Sequence, residues 1–222
     1  MKLAKTAFAA TVIAFAASVH AAPFAEGFDN VSALGAAGWV FTNLSTPVGT
    51  SWTQGDNTAA FASQAGAPNA YAAANFLSAS NIPGDPGSID NWLITPEITL
   101  GGPASLSFYA RTFAIPGATF GDTLQVLFST GSSAATGGFV ALDTILLPTD
   151  DWTLFTYLLP TVASGRVAFR YLVVDANNAN YVGLDTVSVQ VRAGAIPEPG
   201  TYALMGLGLV GIALARRSRR AA

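Results

Sequence analysis

Arg166-Val167-Ala168-Phe169-Arg170-Tyr171-Leu172-Val173 is the stretch that decides the fold class. Val167, Phe169, Tyr171 and Val173 fall at every second position. Successive side chains of an extended strand point to opposite faces, so this alternation predicts a buried face carrying those four residues and a wet face carrying both arginines. Segments of similar β-type composition recur at 105–111, 123–129, 140–147, 152–159 and 184–192. Between them stand turn signals such as Pro116-Gly117, Thr130-Gly131-Ser132 and Gly137-Gly138, where glycine and proline punctuate extended chain. No amphipathic helix of convincing length, heptad, internal repeat or phosphate-binding glycine spacing interrupts the pattern. The reading is an all-β domain, an antiparallel β-sandwich. Residues 54–90, rich in Ala, Asn, Ser, Gly and Pro, are expected to add one or two weak strands among long loops.

Composition agrees and narrows the chemistry. The 222 residues are 51% hydrophobic and 10% charged, with 22 Gly and 12 Pro, which favours a turn-rich β domain over a helical bundle or a disordered chain. Charge is unevenly placed. Lys2, Lys5, Arg216, Arg217, Arg219 and Arg220 lie at the ends, while Ala22 to Gly200 holds 13 Asp and Glu against Arg111, Arg166, Arg170 and Arg192. An acidic middle of this kind repels a phosphate backbone, so nucleic acid is not a partner it suits, whereas a divalent cation is. The chain has no cysteine, and its one histidine, His20, lies in a segment expected to be removed. Disulfides, thiolate or imidazole metal sites and Ser/His/Asp or Cys/His catalysis are thereby excluded from the mature domain.

The two ends carry addresses. Lys2 and Lys5, an apolar run from Ala7 to Ala17 and the small residues up to Ala21 follow the order of a secretory signal peptide. A signal helix over 1–21, handled by the Sec translocon and cut by signal peptidase after Ala21, is expected. Ile196-Pro197-Glu198-Pro199-Gly200 precedes the apolar run 201–215 and the cluster Arg216-Arg217-Ser218-Arg219-Arg220. Two prolines hold the backbone around Glu198 extended and accessible. The run makes a short membrane helix about 22 Å long at about 1.5 Å per residue, and the arginines act as a cytoplasmic stop-transfer signal that leaves the preceding domain outside. The segment 195–222 resembles the PEP-CTERM sorting signal of Gram-negative bacteria. That resemblance implies recognition by an exosortase near Pro197-Glu198-Pro199, a passing inner-membrane intermediate, and delivery to the cell surface or extracellular matrix.

The remaining domain, 22–194, carries three further motifs: Phe24-Ala25-Glu26-Gly27-Phe28-Asp29 with Gly38-Trp39, Asp90-Asn91-Trp92-Leu93-Ile94-Thr95-Pro96-Glu97-Ile98, and Gly183-Leu184-Asp185-Thr186-Val187-Ser188-Val189. In this order they resemble the choice-of-anchor J domain, related to cleaved-adhesin and MAM-like jelly rolls. The resemblance implies a sandwich of jelly-roll type with first and last strands adjacent, and a structural Ca²⁺ held by Glu26 and Asp185 with Asp29 or Asp90, hard oxygen ligands of the kind calcium takes. The family often has two acidic residues where this chain has Asp185-Thr186. Asp175 to Asn180, rich in Asp and Asn, reads as a connection between strands. Core packing is the default reading of the four tryptophans, and Trp52, in the polar stretch Ser51-Trp52-Thr53-Gln54, is the candidate among them for exposure and ligand contact. The functional expectation is a non-catalytic exported surface or matrix protein that serves adhesion or the binding of exopolysaccharide or proteins. Two alternatives stay open: a glycan-active hydrolase using a carboxylate pair, and a purely structural matrix protein.

Overall fold

The computed structural model describes residues 24–79 and 87–192, together with 206–209 and 217. The signal segment 1–21 lies outside the described residues, as do Pro197, Glu198 and Pro199 and most of the run 201–215. Residues 206–209 are helical and exposed. Among the described residues no helix is long and apolar enough to cross a membrane.

The strands are Phe24–Glu26 (β1), Val40–Asn43 (β2), Thr53–Gln54 (β3), Ala72–Asn75 (β4), Ile89–Ile94 (β5), Ile98–Thr99 (β6), Ala104–Thr112 (β7), Thr123–Thr130 (β8), Val140–Leu146 (β9), Thr153–Leu159 (β10), Ser164–Val173 (β11) and Tyr181–Val191 (β12). They form two six-stranded sheets. One sheet runs β10-β7-β12-β4-β3, with β1 continuing beside β12. The other runs β2-β5-β11-β8-β9, with β6 continuing beside β11. All the strand pairs are antiparallel, and β1 meets β12 with Glu26 opposite Val187. First and last strands are therefore neighbours, as the jelly-roll reading requires.

The alternation in the sequence becomes the core. On β11, Val167, Phe169 and Tyr171 are fully buried and Val173 nearly so. They meet the inward side chains of β7, where Leu106, Phe108 and Ala110 are likewise fully buried. Phe169 approaches Phe108 edge-on across the sandwich, 5.0 Å between ring centroids, a favoured aromatic geometry. The outer face of β11 differs from the expectation of plain solvent. Ala168 is buried with Trp92, Ile94 and Leu127 under the 131–139 loop, which lays Phe139 against Trp92. Arg170 lies over the Trp92 ring at 4.9 Å and pairs with Asp90 at 2.7 Å.

The weak-strand segment also holds more order than its composition suggests. Ala72, Ala73 and Ala74 form the buried body of β4, between β12 and β3. Alanine has little β propensity; Ala72 and Ala74 face the core between the sheets, while the small Ala73 leaves room for Phe61 and Tyr71 on the outer face. Phe61 from the 55–70 loop stacks on Tyr71 at 5.3 Å and meets Trp152 edge-on. Gly183 makes the approach feasible, since a Cβ there would come within 2.7 Å of both the Phe61 and Trp152 rings. Asp175 caps the single turn Ala176–Asn178 by accepting the Asn177 amide, which confirms that stretch as an inter-strand connection.

Candidate functional site

Two constructions stand out, and they share the 55–70 loop. The first is the latch that holds the loop down. Asp185, fully buried on β12 at a bulge in its pairing with β7, accepts the Gln64 amide at 2.8 Å and the Ala65 amide at 3.2 Å with one oxygen. Its other oxygen accepts the Thr186 amide at 2.6 Å and the Thr186 hydroxyl at 3.2 Å. Thr186 also donates to Gln64 Oε1 at 2.9 Å and has a φ of +50°, which a β-branched residue adopts only when its surroundings impose it. Burial raises the Asp185 carboxyl above the ordinary aspartate range, against the pull of these hydrogen bonds.

That direction has a measurable sign. A carboxyl whose folded value is raised contributes its full stability below the unfolded value and loses it as pH climbs through the folded one. The advantage of the natural chain over Asp185→Asn should therefore be larger near about pH 3 than at about pH 7 when urea midpoints are compared. A larger advantage at neutral pH would mean that the hydrogen bonds, not burial, dominate.

The second construction is a groove of ≈ 430 Å³ at the end of the sheet where β4 stops and β12 starts. Its apolar lining is Phe76, exposed at 46%, with Phe113 and Ile115 from the connection after β7. Asp56, Asn75 and Tyr181 supply polar atoms. Phe76 is fixed at its root: its amide donates to the Asn180 carbonyl at 2.9 Å, and Asn75 Oδ1 accepts the Leu77 amide at 2.9 Å. Asp56 Oδ1 accepts the Thr58 hydroxyl at 2.6 Å, the Thr58 amide at 2.9 Å and the Ala59 amide at 3.2 Å. Those donors, the hydroxyl foremost, hold the Asp56 carboxyl below its usual range, so it stays ionised. Tyr181 and Tyr71 hydroxyls lie 3.2 Å apart, and each accepts the Asp56 amide at 3.0 Å. Burial raises both phenols above their usual value, which leaves them neutral.

The residues expected to act from sequence are only partly gathered. Glu26 and Asp185 lie on adjacent strands, but Glu26 accepts its neighbour Phe28's amide at 2.8 Å. Asp29 borders the same turn as Asp185, with Oδ1 3.3 Å from where a Cβ of Gly66 would stand. Asp90 is on the other sheet, where Arg170 takes both its oxygens at 2.7 Å and Trp92 Nε1 donates to one at 2.5 Å. Among the described residues no group of three or more acidic side chains could hold a metal ion. Calcium needs six to eight oxygens turned toward it, and Asp185 spends both of its own on N–H and O–H donors. As a calcium set, Glu26, Asp29, Asp90 and Asp185 do not fit.

The expected exposure of Trp52 is corrected: it is 4% exposed, packs in the core and donates Nε1 to the Asn91 carbonyl at 3.2 Å, with only an edge reaching the depression it shares with Phe41 and Gln54. Its polar neighbours misled because Gln54 is turned inward to bind the Phe28 and Asn69 carbonyls. Among the described residues the exposed aromatic is Phe76. Its only sequence signal was the capping pattern Asn75-Phe76-Leu77, which stops a strand abruptly beside an apolar residue. Of the stop-transfer arginines, Arg217 is described and exposed, and Arg216, Arg219 and Arg220 lie outside the described residues.

Comparison with known proteins agrees with this architecture at both levels. Residues 195–220 match the PEP-CTERM protein-sorting motif. The chain thus carries a signal for export and attachment at the cell surface, through the secretion machinery and exosortase processing that this motif implies. Among solved structures, the K1 cleaved adhesin domain of Lys-gingipain from Porphyromonas gingivalis is similar, with 22% identity over 78% of this chain and 99% of that one, at a TM-score of 0.57. The K3 domain of the same protein gives 23% identity over 77% and 98%, at 0.55. At such identities the likeness concerns the fold alone, a β-sandwich of jelly-roll type, here on a chain that also carries a surface-sorting signal. A search of curated proteins finds no match.

Proposed function

We propose that this chain is a non-catalytic surface or matrix protein, exported and sorted by its C-terminal signal, which binds an exopolysaccharide or another surface molecule through its jelly-roll domain. The observation that carries the reading is the groove beside Phe76: an exposed aromatic wall, rooted by hydrogen bonds, next to fixed polar atoms. Ligand sites combine apolar surface with placed polar groups in volumes of about 300–1000 Å³, and this groove joins Phe76, Phe113 and Ile115 to Asp56, Asn75 and Asn180.

The same groove argues against the hydrolase alternative. Glycosidic cleavage uses two carboxyl groups about 5–9.5 Å apart across the bond, and Asp56 is the single carboxylate lining this groove. Asp56 is moreover held ionised, which suits an acceptor and not the proton donor that such a reaction needs.

Cells expressing the full-length chain, incubated with fluorescent polysaccharides, test the proposal. Surface retention without release of new reducing ends is expected. Time-dependent release of reducing ends would make the chain a hydrolase, and no retention of any polymer or surface protein would leave a structural matrix protein.

A further inference from the structure

We propose that the Phe76 groove is a subsite for a neutral pyranose within a polysaccharide, with Phe76 under the apolar face of the ring and Asp56 Oδ2 and Asn75 Nδ2 taking its hydroxyls. This rests on the binding reading above and names its ligand class. A pyranose presents a patch of C–H bonds on one face and hydroxyls around its rim. The groove offers the complement: a half-exposed aromatic ring, Ile115 at 41% exposure, and the polar side chains of Asp56 and Asn75 in one lining.

The polar atoms have capacity to spare. Asp56 Oδ1 holds three donors, while among the described residues Asp56 Oδ2 has no hydrogen-bond partner. Asn75 uses its Oδ1 on the Leu77 amide, and its Nδ2 has no partner among the described residues. One ionised acceptor and one amide donor are what a pair of sugar hydroxyls requires, each hydroxyl giving one bond and taking another. Neither group must reorganise to bind, because Asp56 is clamped by Thr58 and Ala59 and Asn75 by its capping bond; pre-organisation of this kind lowers the entropic cost of association.

Charge selects the class. The lining has no lysine or arginine and one fixed carboxylate, in a domain where acidic residues outnumber basic ones heavily. A uronate or sulfate ester would bring a second negative charge beside Asp56 well within the screening length of about 10 Å at 0.1 M salt. Neutral glycans meet no such penalty.

Affinity electrophoresis of the full-length chain in mild detergent, through gels carrying neutral polymers (β-glucan, galactan, arabinoxylan) or anionic ones (alginate, pectate), separates the outcomes. The natural chain should be retarded by at least one neutral polymer and by neither anionic one. Phe76→Ala should abolish retardation, Phe76→Tyr should keep it, and Asp56→Asn should weaken binding by about tenfold or more. Phe76 is half-exposed, so its variants should keep the thermal midpoint of the natural chain. Retardation that survives Phe76→Ala and Asp56→Asn would overturn the groove as the subsite while leaving the surface-binding reading intact. Retardation by alginate or pectate instead would overturn the neutral class. A chain that retains basic peptides but no polymer would overturn the sugar assignment in favour of a protein partner.

Discussion

Asp122→Ala should cost about 3–5 kcal/mol of folding stability, a large part of the roughly 5–15 kcal/mol that holds a domain together. Asp122 is fully buried just before β8. One of its oxygens accepts the Tyr171 hydroxyl at 2.5 Å and the Asn180 amide at 2.8 Å, and the other accepts the Thr112 hydroxyl. Thr112 ends β7 in one sheet, Tyr171 sits on β11 in the other, and Asn180 leads into β12. A single carboxylate thus ties both sheets at the end where the groove lies. Removing it strands two buried donors, the Tyr171 hydroxyl and the Asn180 amide, each costing about 1–3 kcal/mol less whatever water recovers, while the Thr112 hydroxyl keeps the Tyr181 carbonyl at 3.0 Å. Burial and this neighbouring carboxylate together keep the Tyr171 phenol well above its ordinary value, so the hydroxyl stays protonated and can donate to Asp122.

Urea unfolding of Asp122→Ala, Tyr171→Phe and the double variant measures the claim. The single variants should be strongly non-additive, with a coupling of about 1–3 kcal/mol between the two positions. A loss under about 1 kcal/mol in Asp122→Ala would mean that the sheet ends are held by packing alone.

Phe108→Ala should be of similar size, about 3–5 kcal/mol, for an unrelated reason. Phe108 is fully buried at the middle of β7. Its ring lies 5.0 Å from Phe169 across the sandwich and 5.5 Å and 6.1 Å from Phe155 and Tyr157 on its own sheet. The backbones of two paired sheets cannot collapse into the space a phenyl ring vacates, so the transfer cost and the cavity cost add. At about 2–4 °C per kcal/mol for a domain of this size, the thermal midpoint should fall by about 10 °C. A fall below about 3 °C would show that the neighbouring aromatic rings refill the space.

These two residues also mark how far the sequence could be read. Phe108 was legible: it stands in an alternating apolar run, and the period of two fixes which face is buried whatever the rest of the chain does. Alternation located β7, β8, β9, β10, β11 and β12 to within a few residues. It could not find β4, because three alanines carry no alternation and no bulk, and their strand is held by pairing with β12 and β3. Asp122 was equally silent. A buried aspartate and a turn aspartate look alike until the tertiary fold brings Thr112, Tyr171 and Asn180 around one of them.

The site was less legible than the fold for the same reason. Asp90, in the most distinctive motif of the domain, neutralises Arg170 on the outer face of its sheet instead of joining Asp185. Trp52 is surrounded by polar residues in sequence and by the core in space, since Gln54 is turned inward and satisfied by backbone carbonyls. Phe76 and Asp56 lie 20 positions apart, and nothing local to either reports that the turn after β4 and the loop after β3 face one another.

Isothermal titration of the full-length chain in mild detergent with a neutral polysaccharide, with reducing ends counted in the same samples, tests the central claim most directly. A saturable heat that vanishes in Phe76→Ala, with no new reducing ends, is the result expected of a surface-displayed glycan-binding jelly roll. Reducing ends that accumulate with time, or no heat with any neutral polymer from a chain whose thermal midpoint shows it folded, would contradict it.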